Sequence, residues 1–168
     1  MADKAQSITD AIKTRLQTIA TPTYQTALGA NVYVWRPDSF TPEGQLIPGL
    51  LEDNELPGII LRDVAEAIDS EGEHAPRNKW DRRRYYEAEV QCSGSTPDDT
   101  VRKMISDVIQ AIGTDDTWGG LAHQTILSTD GSSGGPTVQM HMAQGNKKYG
   151  GGKIRFIVFY RTDKYQNT

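Results

Sequence analysis

Near the start of the chain, apolar residues recur at Ile8, Ala11, Ile12, Leu16 and Ile19, with Asp10, Lys13, Thr14 and Gln17 between them. A three-and-four spacing gathers the first set on one side of an α-helix, so the pattern predicts a one-faced helix. Ser7, with Asp10 following, is the expected N-cap, and Pro22 stops the helix shortly after Ala20. The β-branched and aromatic run Asn31, Val32, Tyr33, Val34, Trp35 and Arg36 reads as a strand ended by Pro37. Gly58, Ile59, Ile60, Leu61, Arg62 and Asp63 form an apolar run of strand length, and residues 64–68 either continue it or turn helical.

From Trp80 the period changes to two. Tyr86, Ala88, Val90 and Cys92 alternate with Tyr85, Glu87, Glu89 and Gln91 up to Ser93, the pattern of a strand packed on one side and wet on the other. Gly94 and Ser95 break it, and Thr96, Pro97, Asp98 and Asp99 open a second helix. Threonine can N-cap, proline suits the first helical position, and both acids favour the positive end of the helix dipole. Val101, Met104, Ile105, Val108, Ile109 and Ile112 make its buried stripe, and Gly113 is the expected C-terminal cap. Residues 123–129 and 137–142 read as further strands. Residues 153–161, with Ile154, Phe156, Val158 and Tyr160 on one face, form the most apolar strand and the expected sheet centre.

The connections are long. Residues 37–57 carry Pro37, Pro42, Gly44, Pro48, Gly49 and Pro57, together with the apolar group Leu46, Ile47, Leu50 and Leu51. They read as an extended loop or arm whose apolar residues either dock a partner or fold back on their own core. Residues 69–79 read as a mobile hairpin loop, and 130–152 as Gly-rich loops around the 137–142 strand, the last of them carrying Lys147, Lys148 and Tyr149. Two amphipathic helices each need an apolar surface, and a mixed or antiparallel sheet supplies it. The expected fold is a single α+β domain over residues 1–168, a sheet flanked by two amphipathic helices.

Composition narrows the function classes. With 168 residues there is room for one ordinary domain. Hydrophobic residues are 36% of the chain and mean hydropathy is -0.57, which points to a thin core whose burial is completed against copies of itself or other chains. A net charge of -4 and a pI near 5.3 argue against a general nucleic-acid or anionic-membrane binder, since phosphate binding requires a basic surface. Cys92 is the single cysteine, which excludes an internal disulfide and multi-cysteine metal motifs. The polar N-terminal residues and the lack of a long apolar run read as a cytosolic chain with no membrane segment.

No constellation for catalysis emerges. His74, His123 and His141 have no partner at a recognised metal or triad spacing, and Asp98 and Asp99 are better explained as helix-capping acids. Residues 145–153 superficially resemble a phosphate loop but lack the Lys-Ser or Lys-Thr pair; glycine there reads as freedom for a loop to reorganise. No catalytic residue, cofactor or metal is expected. The remaining signal is Asp81, Arg82, Arg83 and Arg84 flanked by Trp80, Tyr85 and Tyr86, which is either a solvated strand end or a contact for nucleic acid or a protein partner, the protein contact being the expected one of the two since arginine and aromatics are enriched at protein interfaces.

Several stretches are similar to the tail terminators of long-tailed phages, the lambda-like minor tail protein U family. They are the helix at 8–19, residues 24–32 (Tyr24 to Val32), 56–63 (Leu56 to Asp63), 94–100 (Gly94 to Thr100) with the following helix, and 156–163 (Phe156 to Asp163). The resemblance lies in element order and local phrases and covers most of the chain outside 37–55, 69–79 and 130–152. It implies a structural virion protein without catalytic residues, a ring of six subunits that stops tail-tube growth and meets the head connector. Its partners would be further copies, the tube protein and the connector, with DNA passing through the lumen without specific binding. An acidic chain suits such a lumen. Another neck protein, or a small enzyme or nucleic-acid-binding domain, are the alternatives.

Overall fold

The computed structural model describes residues 3–36, 39–40, 46–47, 49–69, 79–128, 138–144 and 147–163. Helix α1 spans Lys4–Gln17, and Ile8, Ile12, Leu16 and Ile19 are all fully buried. Its N-cap is Asp3, whose carboxylate accepts from the Ala5 N–H at 3.1 Å. Ser7, the expected cap, lies inside the helix and donates to the Asp3 carbonyl. An aspartate one turn earlier satisfies the helix's free N–H groups equally well. Helix α2, Pro97–Thr114, begins where expected, with Thr96 capping through its backbone position and no side-chain bond. Gly113 lies within its last turn; the helix closes at Thr114 and the chain leaves through an extended Asp115.

The described residues form eight strands, in chain order β1 Val32–Val34, β2 Ser39–Phe40, β3 Leu46–Ile47, β4 Gly58–Asp69, β5 Lys79–Ser93, β6 Gln124–Leu127, β7 Val138–Gln144 and β8 Lys148–Asp163. The main sheet runs β1-β4-β5-β8-β6, with β7 also on β8; all its pairs are antiparallel except β1 on β4. It is therefore a mixed sheet in an α+β fold. Residues 64–68 continue β4 through a bulge between Asp63 and Ala65, and the segment between β4 and β5 joins an antiparallel pair. β8 lies at the centre, bonded to β5 on one side and to β6 and β7 on the other. Within the 37–57 arm, β2 and β3 form their own antiparallel pair, followed by a 3-10 turn at Asp53–Glu55. The expected loop at 130–136 lies outside the described residues, as do 70–78 of the expected hairpin loop at 69–79, with His74; its ends, Asp69 and Lys79, belong to β4 and β5.

Cross-strand register sorts the two faces of the sheet. Ile59 pairs Val90, Leu61 pairs Ala88, Tyr86 pairs Phe156 and Ala88 pairs Ile154, so these side chains share one face, and the core cluster joins them to the stripes of both helices. Tyr86 and Phe156 stack with centroids 5.4 Å apart, and the Tyr86 hydroxyl meets Thr9 of α1 at 2.9 Å. Both helices thus cover the same face.

The glycine run 150–152 is strand rather than loop. A Cβ on Gly152 would fall 2.9 Å from Ile105 Cδ1, and one on Gly150 would fall 3.0 Å from the Pro97 carbonyl oxygen. Absence of side chains there lets α2 lie directly on β8, so the need is close approach, not loop freedom.

Candidate interaction surfaces

The basic and aromatic cluster sits in the first half of β5, where its residues alternate between faces. Arg82 and Arg84 share the helix face with Tyr160, and both turn to acids of β4: Arg82 to Glu66 at 3.2 Å and Arg84 to Asp63. Tyr160 donates to the same Glu66 carboxylate. Burial opposes the charge on Arg84, but the hydrogen bond and charge of Asp63, together with the neighbouring Tyr86 and Tyr160, outweigh it and keep the guanidinium protonated. Arg82 is buried, with its guanidinium 5.7 Å from the Trp80 ring centre, so it is not a solvated strand end. The register puts Arg83 and Tyr85 on the opposite face with Phe159 and Ile157. There Asp81 holds Arg161 through two bonds of 2.6 and 3.0 Å, a bidentate fork that keeps the Asp81 carboxyl below the ordinary range.

The second face of β5 departs from the expected wet side. Glu87, Glu89 and Gln91 are all buried. Arg62 bridges Glu87 and Glu89, Lys153 reaches Glu87 at 3.0 Å and Glu89 at 3.7 Å, and Arg155 reaches Glu87 at 3.2 Å. Burial alone would raise the Glu89 carboxyl; hydrogen bonds from Arg62 and Gln91 and the charges of Arg62 and Lys153 more than offset it and hold it low. Gln91 also accepts the Leu51 N–H at 2.9 Å, tying the arm to the sheet. Buried carboxylates persist only where such partners compensate their lost hydration. Alternation in one strand could not show this, because the cations come from β4 and β8.

The arm and the β7–β8 hairpin, far apart in sequence, meet at a cleft of about 430 Å³ lined by Leu50, Leu51, Leu56, His141, Ala143 and Tyr149. Leu51 packs inward, as an arm folding back on its own core requires, while Leu50 is 57% exposed. At the rim Lys147 pairs with Asp53, and the Tyr149 hydroxyl donates to Asp53 at 3.2 Å. The Lys147 hydrogen bond and charge lower the Asp53 carboxyl. Lys147 and Tyr149 are thus joined to the arm, and Lys148 and Tyr149 open β8 rather than belonging to a loop. The side chains of Leu46 and Ile47 lie outside the described residues.

The lining is suited to apolar contact. Burial pushes the Cys92 thiol up, against the thiolate form a nucleophile needs. Among the described residues no group of three His, Cys, Asp or Glu side chains is placed to hold a metal ion, and no helix is long and apolar enough to cross a membrane. The residue that sequence reasoning missed is Asp107, fully buried on α2, whose carboxylate accepts from the Gln25 and Thr26 N–H groups and the Thr26 hydroxyl. Its position on the apolar side of the α2 stripe, between Met104 and Val108, is the signal that could have found it. Comparison with known protein families and with curated proteins finds no match.

Proposed function

We propose that this chain is a structural protein of a phage tail, a terminator that closes into a six-membered ring on the end of the tail tube and joins it to the head connector. The observation that carries this reading is the arrangement of the resembling stretches: they fall on α1, the start of β4, the opening of α2 and the end of β8, around one core. The apolar cleft beside Leu50 and Tyr149 supports it, since exposed apolar surface of this kind is suited to contact with another chain. A tube end exposes unsatisfied subunit contacts, and a closed ring covers them without offering another layer. Ring closure by rotation requires two different surfaces on every subunit.

The test adds purified protein to tail-tube protein as tubes polymerise and images the products by electron microscopy. Rings at tube ends and arrested elongation are expected. Binding to the head connector with tubes growing unchecked would instead identify another neck protein. Activity in neither assay, with turnover or nucleic-acid binding elsewhere, would favour the enzyme or nucleic-acid-binding alternative.

A further inference from the structure

We infer that the two outer edges of the main sheet are the two halves of one interface between copies of this chain: residues 62–69 of β4 pair with β7 of the next copy, so that the sheet continues from subunit to subunit. This deepens the ring reading and rests on it for the closure of the series.

Among the described residues, β4 is covered on its outer side by β1, which pairs Val32, Tyr33 and Val34 with Ile59, Ile60 and Leu61, and by Trp35, whose N–H donates to the Leu61 carbonyl at 3.0 Å. Beyond Leu61 no described strand lies on that side. β7 is seven residues long and pairs along its whole length with β8, and no described strand lies on its outer side either. Open edges present rows of backbone donors and acceptors that template another strand, and proteins usually blunt them with charge, proline or short length. Neither edge is short; residues 138–144 contain no Lys, Arg, Asp, Glu or Pro, and of the charges on residues 62–69, Arg62, Asp63 and Glu66 are paired within the subunit with Glu89, Arg84 and Arg82.

The side chains match by face. After the bulge, Glu66 and Ile68 stand opposite Arg84 and Arg82 on the helix face, and Ala65 and Ala67 lie on the other. On β7, Met140 and Met142 pair Gly152 and Gly150 and so share the helix face, with Gln139 and His141 behind. Ile68 and Val64 are 48% and 46% exposed, Met142 and Met140 46% and 38%. Continuing the sheet sets Ile68, and exposed Val64 at the bulge, against the methionines of β7, with Glu66 between them turned to Arg82 and Tyr160, and small alanines against Gln139 and His141 on the other face. The order of strands makes β4 and β7 antiparallel within one subunit, so a copy set beside it in the same sense joins antiparallel. Such a joint supplies roughly one backbone hydrogen bond per residue pair, and being heterologous it propagates until it closes.

The test uses two edge variants, Val64→Lys/Ile68→Lys and Met140→Lys/Met142→Lys, all at exposed positions, with circular dichroism to verify folding. By native mass spectrometry and sedimentation, wild type forms closed oligomers, each variant alone is monomeric, and their equimolar mixture gives dimers and nothing larger, because one good interface survives between them. As a second measurement, chains carrying Val64→Cys or Ile68→Cys are mixed under oxidising conditions with chains carrying Val138→Cys, Met140→Cys or Met142→Cys; a disulfide forms between the two kinds and not within either, buried Cys92 standing aside. A monomeric wild type at its highest soluble concentration, edge variants that assemble normally, or a mixture that stays monomeric would each overturn the inference. Tube growth is followed in parallel. Rings built through these edges that leave elongation unchecked refute the terminator reading alone, whereas tubes capped equally by wild type and by assembling edge variants refute this interface alone.

Discussion

Replacing Asp107 tests how the segment between α1 and β1 is held. The carboxylate has no exposed surface, and it accepts from Gln25 N–H at 3.0 Å, Thr26 N–H at 2.7 Å and the Thr26 hydroxyl at 2.6 Å. Hydrogen bonds to a charged group contribute about 1.5–3 kcal/mol each, but contributions from one group are not additive. Because Gln25 and Thr26 are partly reached by water, which recovers some of the loss, Asp107→Ala is expected to cost about 3 kcal/mol in total. For a domain of this size each kcal/mol moves the melting temperature by about 2–4 °C, so the variant melts about 6–12 °C below wild type. Asp107→Asn keeps one acceptor oxygen and is expected to lose about half as much, and Thr26→Val, which removes only the hydroxyl bond, about 1 kcal/mol. Thermal melts and urea titrations measure these values, with unchanged denaturant slopes confirming that the same transition is compared. The double variant Asp107→Ala/Thr26→Val should fall short of the summed losses by about 1 kcal/mol, since both single changes remove the same bond. An Asp107→Ala protein as stable as wild type, or full additivity in the double variant, would refute the tether.

Val108→Asp and Phe156→Asp place a carboxylate among fully buried neighbours and should abolish cooperative melting, as an unpaired charge is relieved only by unfolding or neutralisation. Gly152→Val pushes new atoms into Ile105 and Val101 and is expected to cost about 1–3 kcal/mol by overpacking, whereas Gly113→Ala, with open space around its Cβ position, should stabilise α2 by about 0.5–1 kcal/mol; denaturant titration of both reads the contrast. Burial, partly offset by the Thr9 hydrogen bond and the Arg84 charge, pushes the Tyr86 phenol up to about 12 from an ordinary 10.0. A raised phenol favours the folded state below the unfolded value, so this contribution is complete below about pH 10 and disappears as pH climbs to about 12. Melting temperature should therefore fall more steeply across that window in wild type than in Tyr86→Phe, and parallel profiles would show that Tyr86 does not couple folding to alkaline titration.

The α+β class, the two one-faced helices, the long central strand and the core face of β5 were all readable as periodicity, because burial of one side imposes a period of 3.6 on a helix and 2 on a strand wherever the chain lies. The opening of α2 was readable for a related reason: capping chemistry at Thr96, Pro97 and Asp98 is local. Four things were not. Gly150 and Gly152 looked like loop residues until α2 was seen lying on them, since close approach is a property of two elements and not of either one. Glu87 and Glu89 looked solvated because the cations that bury them, Arg62, Lys153 and Arg155, arrive from two other strands. Arg82 and Arg84 looked available to a partner, while register delivers Glu66 and Asp63 to them from β4. The cleft joining Leu50 to Tyr149 likewise exists only once the arm and the β7–β8 hairpin are brought together beside Gln91 and Cys92 of β5. Sequence alone determined which faces are apolar and where helices start, because those depend on neighbours along the chain. Tertiary structure decided which charges are paired, which glycines are packed and which described strands lie outermost in the sheet, because each depends on strand order and register, set by contacts between distant residues.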